Sequence, residues 1–484
     1  MKHVNGSERT QIKLQCLEDL VGADSAVRQI DEVVNRMDTS YFEKSKLKDV
    51  GRPPYDPKDM LKLYLYGMDN GIISSRKLER ECKRNIELMW LINELTPENK
   101  TICNFRRENA ENIVRFYNEF VRALKDMGYI DGKVVAVDGT KIRANNSRRN
   151  NFSLKKINRQ IDYIDKKLSE YINELDKNDK IEELKERKEK YLGYKQRIAD
   201  GEVSEVSVTD SDSRMMKASN GGADVSYNVQ AVVDSKHKLV AGVLVTNEPN
   251  DQGQLHKAAK GVKDNLDLET MTALGDKGYH ATEDFKKCHE DGITTIVSKP
   301  DKKDSGDGLF KKEDFIYDND TDSYTCPAGQ VLSFSTQDKW YRRYRNVKAC
   351  KKCAMKPLCT KGNRKDICRH EHEEYADKND KDFDENTALY RTRQELSEHP
   401  FGTIKRTMGI RQFLLRGLIK VNAEAALIFL AYNLKRLRNL DNGDNKKDDR
   451  LIQSACVILC LYVFDILRSI DYKIACRKIN FSAV

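Results

Sequence analysis

The chain has 484 residues, 86 of them Lys or Arg and 77 Asp or Glu, giving a net charge of +9 with histidine neutral. With 34% charged and 39% hydrophobic residues, it is too polar for an integral membrane protein, too long for a small disulfide module and apolar enough to fill at least one sizeable core. The modest positive excess permits a nucleic-acid partner without establishing one.

Met1 to Leu20 lacks the apolar core of a signal peptide, so a cytoplasmic chain with no membrane partner is expected. Its twelve cysteines then read as thiols or metal ligands rather than disulfides. From Tyr55 to about Lys125 apolar residues recur at helical spacing (Met60, Leu61, Leu63, Tyr64, Leu65; Leu78, Cys82, Ile86, Met89), which predicts an all-helical N-terminal domain over residues 1–130. Arg52-Pro53-Pro54 precedes one helix, Gly67 and Gly71 bracket a turn, and Thr96 caps a helix entered through Pro97. Arg76, Lys77, Arg80, Lys83 and Arg84 fit a DNA-facing surface and a solvated charged face equally well.

Five short β-branched runs follow: Lys133 to Ile142, Tyr227 to Asp234, Leu239 to Asn247, Thr272 to Tyr279 and Ile293 to Pro300. Helical stretches follow the third and fourth, and another begins near Asn386. The order predicts an α/β core, a mixed sheet with helices packed on it, over residues 131–147, 206–300 and 384–438. Two segments interrupt it. Over residues 148–205, Leu154, Ile157, Ile161, Ile164, Leu168, Tyr171 and Leu175 step by three and four, and the pattern resumes at Ile181, which predicts an antiparallel helical hairpin flanked by loops. Residues 301–383 are polar, cysteine-bearing and rich in basic and aromatic side chains. A charged linker from Asn439 leads into a C-terminal apolar segment, residues 439–484 together, whose longest run is short of the ~20 residues of a membrane-spanning helix.

Asp138, in VVAVDGTKI, and Asp276, in TALGDKGY, each stand where a buried strand meets a carboxylate, an arrangement that costs desolvation unless the charge is paired or coordinated. Asp-Gly is also an ordinary turn signal, so either motif alone is equally readable as a strand-to-loop turn. Glu398, in SEHPFGTIKR, is the third candidate. Lys405 lies seven residues on, about 10 Å along the same face of a regular helix, with Pro400 placing the helix start or a bend at Glu398. Glu424 is the other acidic residue in this region.

With GRPPYDP, LYLYG, SSRKLER, VDGTKIRANNS, YNVQAVVD, GDKGY, EHPFGTIKR and LRGLIKVNAEAALIFLAYNLKR in one order, the chain from Arg52 to Arg438 resembles a DDE transposase of bacterial insertion sequences. The resemblance implies a ribonuclease H-like catalytic core and places the catalytic and metal-holding carboxylates at Asp138, Asp276 and Glu398. One subset of that family carries a Tyr, Arg, Glu and Lys signature. Here Glu398 and Lys405 keep its interval, while Tyr390 and Arg393 stand one residue off. Three carboxylates suit two Mg²⁺ or Mn²⁺ ions rather than zinc. The implied reaction is cleavage at transposon ends and transfer of the freed 3′-hydroxyl into target DNA by an oligomer, a dimer being the simplest assembly that joins two ends, at the bacterial nucleoid.

Between His399 and Ala423 there is no acidic residue, and Lys405, Arg406, Arg411, Arg416 and Lys420 offer phosphate contacts, with Lys141 and Arg143 following Asp138. Arg148 and Arg149 read equally well as a solvated loop. Cys326, Cys350, Cys353 and Cys359 form C-x23-C-x2-C-x5-C with Cys368 nearby, a pattern that fits a structural zinc or free thiols. Trp340, Tyr341, Arg342, Arg343, Tyr344 and Arg345 mix rings with cations as a DNA-contacting module does. Two rival readings use the same residues: a metal-dependent nuclease that cuts without joining, and an inactive transposase-derived DNA-binding regulator.

Overall fold

In the chain's computed structural model, residues 14–45, 53–171, 178–217, 221–300 and 309–444 are described; the expected C-terminal apolar segment lies outside them. The first 126 residues contribute α1 (Leu17–Leu20), α2 (Ala26–Arg36), α3 (Pro57–Asp69), α4 (Ser75–Cys82), α5 (Ile86–Leu91), α6 (Asn99–Glu108) and α7 (Ala110–Asp126). Asp56 caps α3 by accepting from Lys58 N at 2.7 Å, with Pro57 in the first turn. Every residue from Met60 to Met68 is buried, so α3 is enclosed on all sides. Gly67 lies inside this helix rather than at the edge of a turn. The chain folds back so closely that a β-carbon there would stand 2.6 Å from Ile72 O. Nor does Thr96 start α6. Glu79 of α4 takes Asn99 N at 3.1 Å and Asn99 Nδ2 at 2.9 Å, so the cap comes from another helix and the start moves to Asn99.

The chain divides into two compact units, one made of Met1–Asn250, Gly261–Leu268 and Gln394–Val484, the other of Asp251–Lys260 and Glu269–Arg393. In the first, β1 (Val134–Arg143) is followed by β2 (Asn151–Phe152), α8 (Leu154–Tyr171), α9 (Asn178–Ala199), β3 (Val206–Ser207), β4 (Arg214–Lys217), β5 (Ala223–Asp234), β6 (Val240–Thr246) and then α10 (Leu255–Asn265), whose residues divide between the units. The long strand β5 organises an antiparallel sheet. One edge takes β1, and the other is shared by β4 along Ala223–Ser226 and β6 along Asn228–Val233. Helices α8 and α9 pack on each other, with Lys188 and Asp165 at 2.5 Å. Their flanks, expected as loops, pair as β2 and β3, and Phe152 packs on Tyr191 and Tyr194 at that base.

In the second unit β7 (Met271–Gly275) and β8 (Ile293–Val297) are parallel and joined through α11 (Thr282–Glu290), as a β-α-β crossover requires. The cysteine-bearing interruption, polar in sequence, forms an antiparallel sheet of β9 (Ile316–Asp318), β10 (Ser323–Thr325), β11 (Val331–Asp338), β12 (Tyr341–Arg345) and, after α12 (Val347–Lys351) and α13 (Lys356–Cys359), β13 (Asp366–His370). Phe315, Tyr324, Leu332, Tyr344 and Ile367 make its small core. Next comes α14 (Glu373–Glu385), which the charged sequence does not announce. It is tied to β8 by Asn379, whose side chain accepts from Val297 N at 3.0 Å and donates to Val297 O at 2.9 Å. α15 (Thr387–Gly402) runs straight through Glu398 and Pro400 and then widens into a π-helical turn, Thr403–Thr407.

The last described helix, α16 (Leu418–Asp444), returns to the first unit and extends through the stretch expected as linker from Asn439. It lies along β6. Asn433 accepts from Val240 N at 2.8 Å and donates to Val240 O at 2.9 Å, and Asn422 accepts from Val245 N at 3.1 Å. Among the described residues no helix is long and apolar enough to cross a membrane. The mixed α/β class matches expectation.

Candidate active site

Val135, Ala136 and Val137 of β1 are fully buried, and Asp138, Gly139 and Thr140 are half-buried as the strand leaves the core. Asp138-Gly139 is no turn. Both residues sit in the ladder, Asp138 opposite Ala231 and Gly139 opposite Gln230, so the strand holds the carboxylate at its middle rather than at its end. Asp138 Oδ1 accepts from Gly139 N at 2.9 Å. Two residues on, Thr140 Oγ1 accepts from Lys405 Nζ. Burial holds the Lys405 ammonium below the ordinary lysine range, against the pull of the Asp138 charge.

The basic residues after these two positions are stitched together through the backbone. Arg143 N donates to Arg411 O at 3.3 Å, Phe413 N to Arg143 O at 2.9 Å, and Asn145 Nδ2 to Leu414 O at 2.7 Å. Arg143, Arg406, Arg411 and Arg416 are exposed, while Lys141 and Lys405 are half-buried. A continuous cationic strip therefore runs beside Asp138 in the first unit. Lys420 and the loop residues Arg148 and Arg149 are also exposed, with Arg148 Nε 3.4 Å from Asp224.

Glu398 is exposed near the end of α15, its Oε1 accepting from Gln394 Nε2 at 2.9 Å. Since the helix neither starts nor stops at Glu398 and the wide turn intervenes before Lys405, seven residues no longer return to one face. His399 Nδ1 lies 2.8 Å from Tyr432 Oη, and burial pushes its imidazole below the usual range. Glu424 serves another purpose. It is 1% exposed, pairs with Arg106 Nη1 at 3.2 Å, and accepts from Leu414 N at 3.1 Å and Leu415 N at 2.9 Å. This joins α6 and α16 and fixes the chain just after the cationic strip.

In the second unit, Asp276 follows β7 and caps the 3-10 turn Lys277–Tyr279, its Oδ1 accepting from Gly278 N at 2.8 Å. A β-carbon on Gly278 would stand 2.9 Å from Asp276 Oδ1 and 3.8 Å from Asp251 Oδ2. Sequence reasoning misses Asp251, whose only mark is an acidic residue in the NEPNDQG stretch between a strand and a helix. Tyr390, which donates to Ser298 Oγ at 2.9 Å, carries Arg393 over its ring at 5.7 Å. His280 Nε2 lies 3.6 Å from Asp380.

Cys326, Cys350, Cys353 and Cys359 line one small cavity with Phe315, Leu332 and Met355. Gln330 N donates to Cys326 Sγ at 3.4 Å. Burial pushes the Cys359 thiol up, and the other three thiols add to it against Lys365. Cys368 is exposed on β13. Among the described residues no three His, Cys, Asp or Glu stand close enough together to hold a metal ion.

Residues 325–438 match a family model described as the transposase DDE domain, and residues 15–108 match one described as a transposase domain (DUF772). No curated protein matches the chain. Among solved structures, the piggyBac transposase synaptic complex with hairpin DNA is similar at 8% identity and a TM-score of 0.33, over 90% of this chain and 79% of that one, too distant to place any residue. The two family matches bear out the resemblance read from the motifs: the chain is similar to bacterial insertion-sequence transposases at its helical start and in the region that carries Glu398 and Lys405.

Proposed function

We propose that this chain is a DNA transposase that cleaves transposon ends and joins the freed 3′-hydroxyl to target DNA, with Asp138, Asp276 and Glu398 holding divalent ions. The observation that carries the reading is a rigid strand presenting Asp138 beside a buried lysine and a strip of exposed arginines, in a chain with two transposase-domain matches. The antiparallel strands β1, β5 and β6 and the parallel pair β7 and β8 are the parts from which a ribonuclease H-like core is built.

Carboxylate oxygens are the donors that Mg²⁺ and Mn²⁺ take, so the side chains at these positions fit such ions. When bound, the ions activate the attacking oxygen and neutralise the phosphoryl charge. The chain's own residues position the DNA. Arg143, Arg406, Arg411 and Arg416 contact phosphates, Lys141 and Lys405 sit closer to Asp138, and Tyr390 and Arg393 precede Glu398 along α15. Two copies of the chain bring two ends together at the nucleoid. In the cysteine-bearing sheet, Cys326, Cys350, Cys353 and Cys359 are four soft donors for one structural zinc. The Gln330 N–H aimed at Cys326 is the hydrogen bond a bound thiolate accepts.

The test uses duplex DNA carrying the sequences that flank the coding region. Asp138→Ala, Asp276→Ala and Glu398→Ala should each remove Mg²⁺- or Mn²⁺-dependent nicking by at least about 10³-fold, the loss of a metal-assisted step, with end binding within a few-fold of the parent. Cleavage retained by any of the three would overturn that residue's role. Cutting without joining of a pre-cut end to plasmid DNA would make the chain a nuclease.

A further inference from the structure

Asp276 is not the sole carboxylate at its corner of the second unit. Asp251 approaches from the loop between β6 and α10, and its Oδ2 lies within 4 Å of the position a Gly278 side chain would occupy, as Asp276 Oδ1 does from the other direction. Both flank the same turn. Gly278 keeps φ in the ordinary range, so its lack of a side chain is explained by this crowding and not by backbone conformation. Asp251 is fixed in place by its own turn, where Gln254 N donates to Asp251 O at 3.1 Å. Gln254 in that turn is 3% exposed, and its Oε1 is buried with no hydrogen-bond partner among the described residues.

Two carboxylates facing one small gap repel each other, and a buried amide oxygen without a donor costs about 1–3 kcal/mol. A hard divalent cation at the gap would offset both, since carboxylate and amide oxygens are its preferred ligands. We infer that Asp251 is a fourth cation-holding carboxylate, acting with Asp276 on one of the divalent ions. The inference rests on the transposase reading and adds a residue to it. Asp276 accepts a backbone N–H with one oxygen, so Asp251 contributes acceptor capacity that the turn has already taken from Asp276.

The test is Mn²⁺ binding to the full-length protein without DNA, followed by water-proton relaxation. Asp251→Asn should weaken Mn²⁺ binding about ten-fold, the usual scale for an altered metal shell, with unchanged thermal melting of the metal-free protein, and Asp251→Glu should recover part of the loss. Glu290→Gln, on the exposed face of α11, should bind as the parent does. Weakening by Asp276→Asn but not by Asp251→Asn would overturn this inference and leave the transposase reading standing. Indifference of Mn²⁺ binding to Asp138→Asn, Asp276→Asn and Asp251→Asn alike would overturn both.

Discussion

At the scale of single residues, the decisive distinction is between carboxylates that hold the fold and carboxylates left at its surface. Glu424 and Asp138 both stand in apolar stretches, but Glu424 meets a guanidinium and two backbone N–H groups while Asp138 emerges half-buried beside Lys405. Arg106 is equally enclosed, 2% exposed, with its guanidinium 5.2 Å over the Tyr64 ring. Arg106→Leu would leave Glu424 charged and buried without its cation, a loss of about 3–5 kcal/mol. Urea unfolding should show it, and the double change Arg106→Met with Glu424→Gln should cost less than Arg106→Leu alone, because the amide oxygen still accepts from the backbone. A double variant as unstable as the single one would remove the ion pair from this account.

At the scale of elements, asparagines do what apolar stripes do elsewhere. Asn433 on α16 and Asn379 on α14 each give a strand edge one acceptor and one donor, in the place of a neighbouring strand. Asn433→Ala leaves a buried N–H and C=O of Val240 unpaired, at about 2–4 kcal/mol for the two, and hydrogen exchange at Val240 should quicken with the loss. Apolar content announces α16, whose VNAEAALIFLAYNL run is buried almost throughout. Nothing comparable announces α14, EEYADKNDKDFDE, where Ala376 and Asn379 are the buried residues. The sheet of the cysteine-bearing segment is hidden for a related reason: alternation is masked in β11, where Leu332 is the buried position among eight. By contrast β1, β5 and β6 are readable because nearly continuous β-branched runs have few alternatives to a buried strand.

At the scale of the whole chain, the two transposase-domain matches fall on residues 15–108 and 325–438, and the intervening segment holds Asp138, Asp251 and Asp276. The cysteine-bearing sheet, with a core of five buried residues, is small for an independent fold, and domains of that size commonly rely on a metal. Purified protein should therefore contain about one zinc per chain, a single four-cysteine site. Cys350→Ser or Cys359→Ser should release it and lower the thermal transition, while Cys368→Ser should leave both unchanged. Metal analysis showing no zinc in protein prepared without chelator would return these cysteines to free thiols.

The motifs, the helical start, the five core strands and the candidate acids Asp138, Asp276 and Glu398 are all legible in the amino-acid sequence by itself, because each depends on residues near one another in the chain. Long-range contact decides the rest. Lys405 reaches Thr140 across 265 positions and Arg106 finds Glu424 across 318, and no local pattern encodes such pairs. Glu424 is therefore readable from sequence as a possible catalytic acid, and only its distant arginine makes it a structural one. Asp251 carries no local signal at all, and only the turn at Gly278 reveals that it stands beside Asp276.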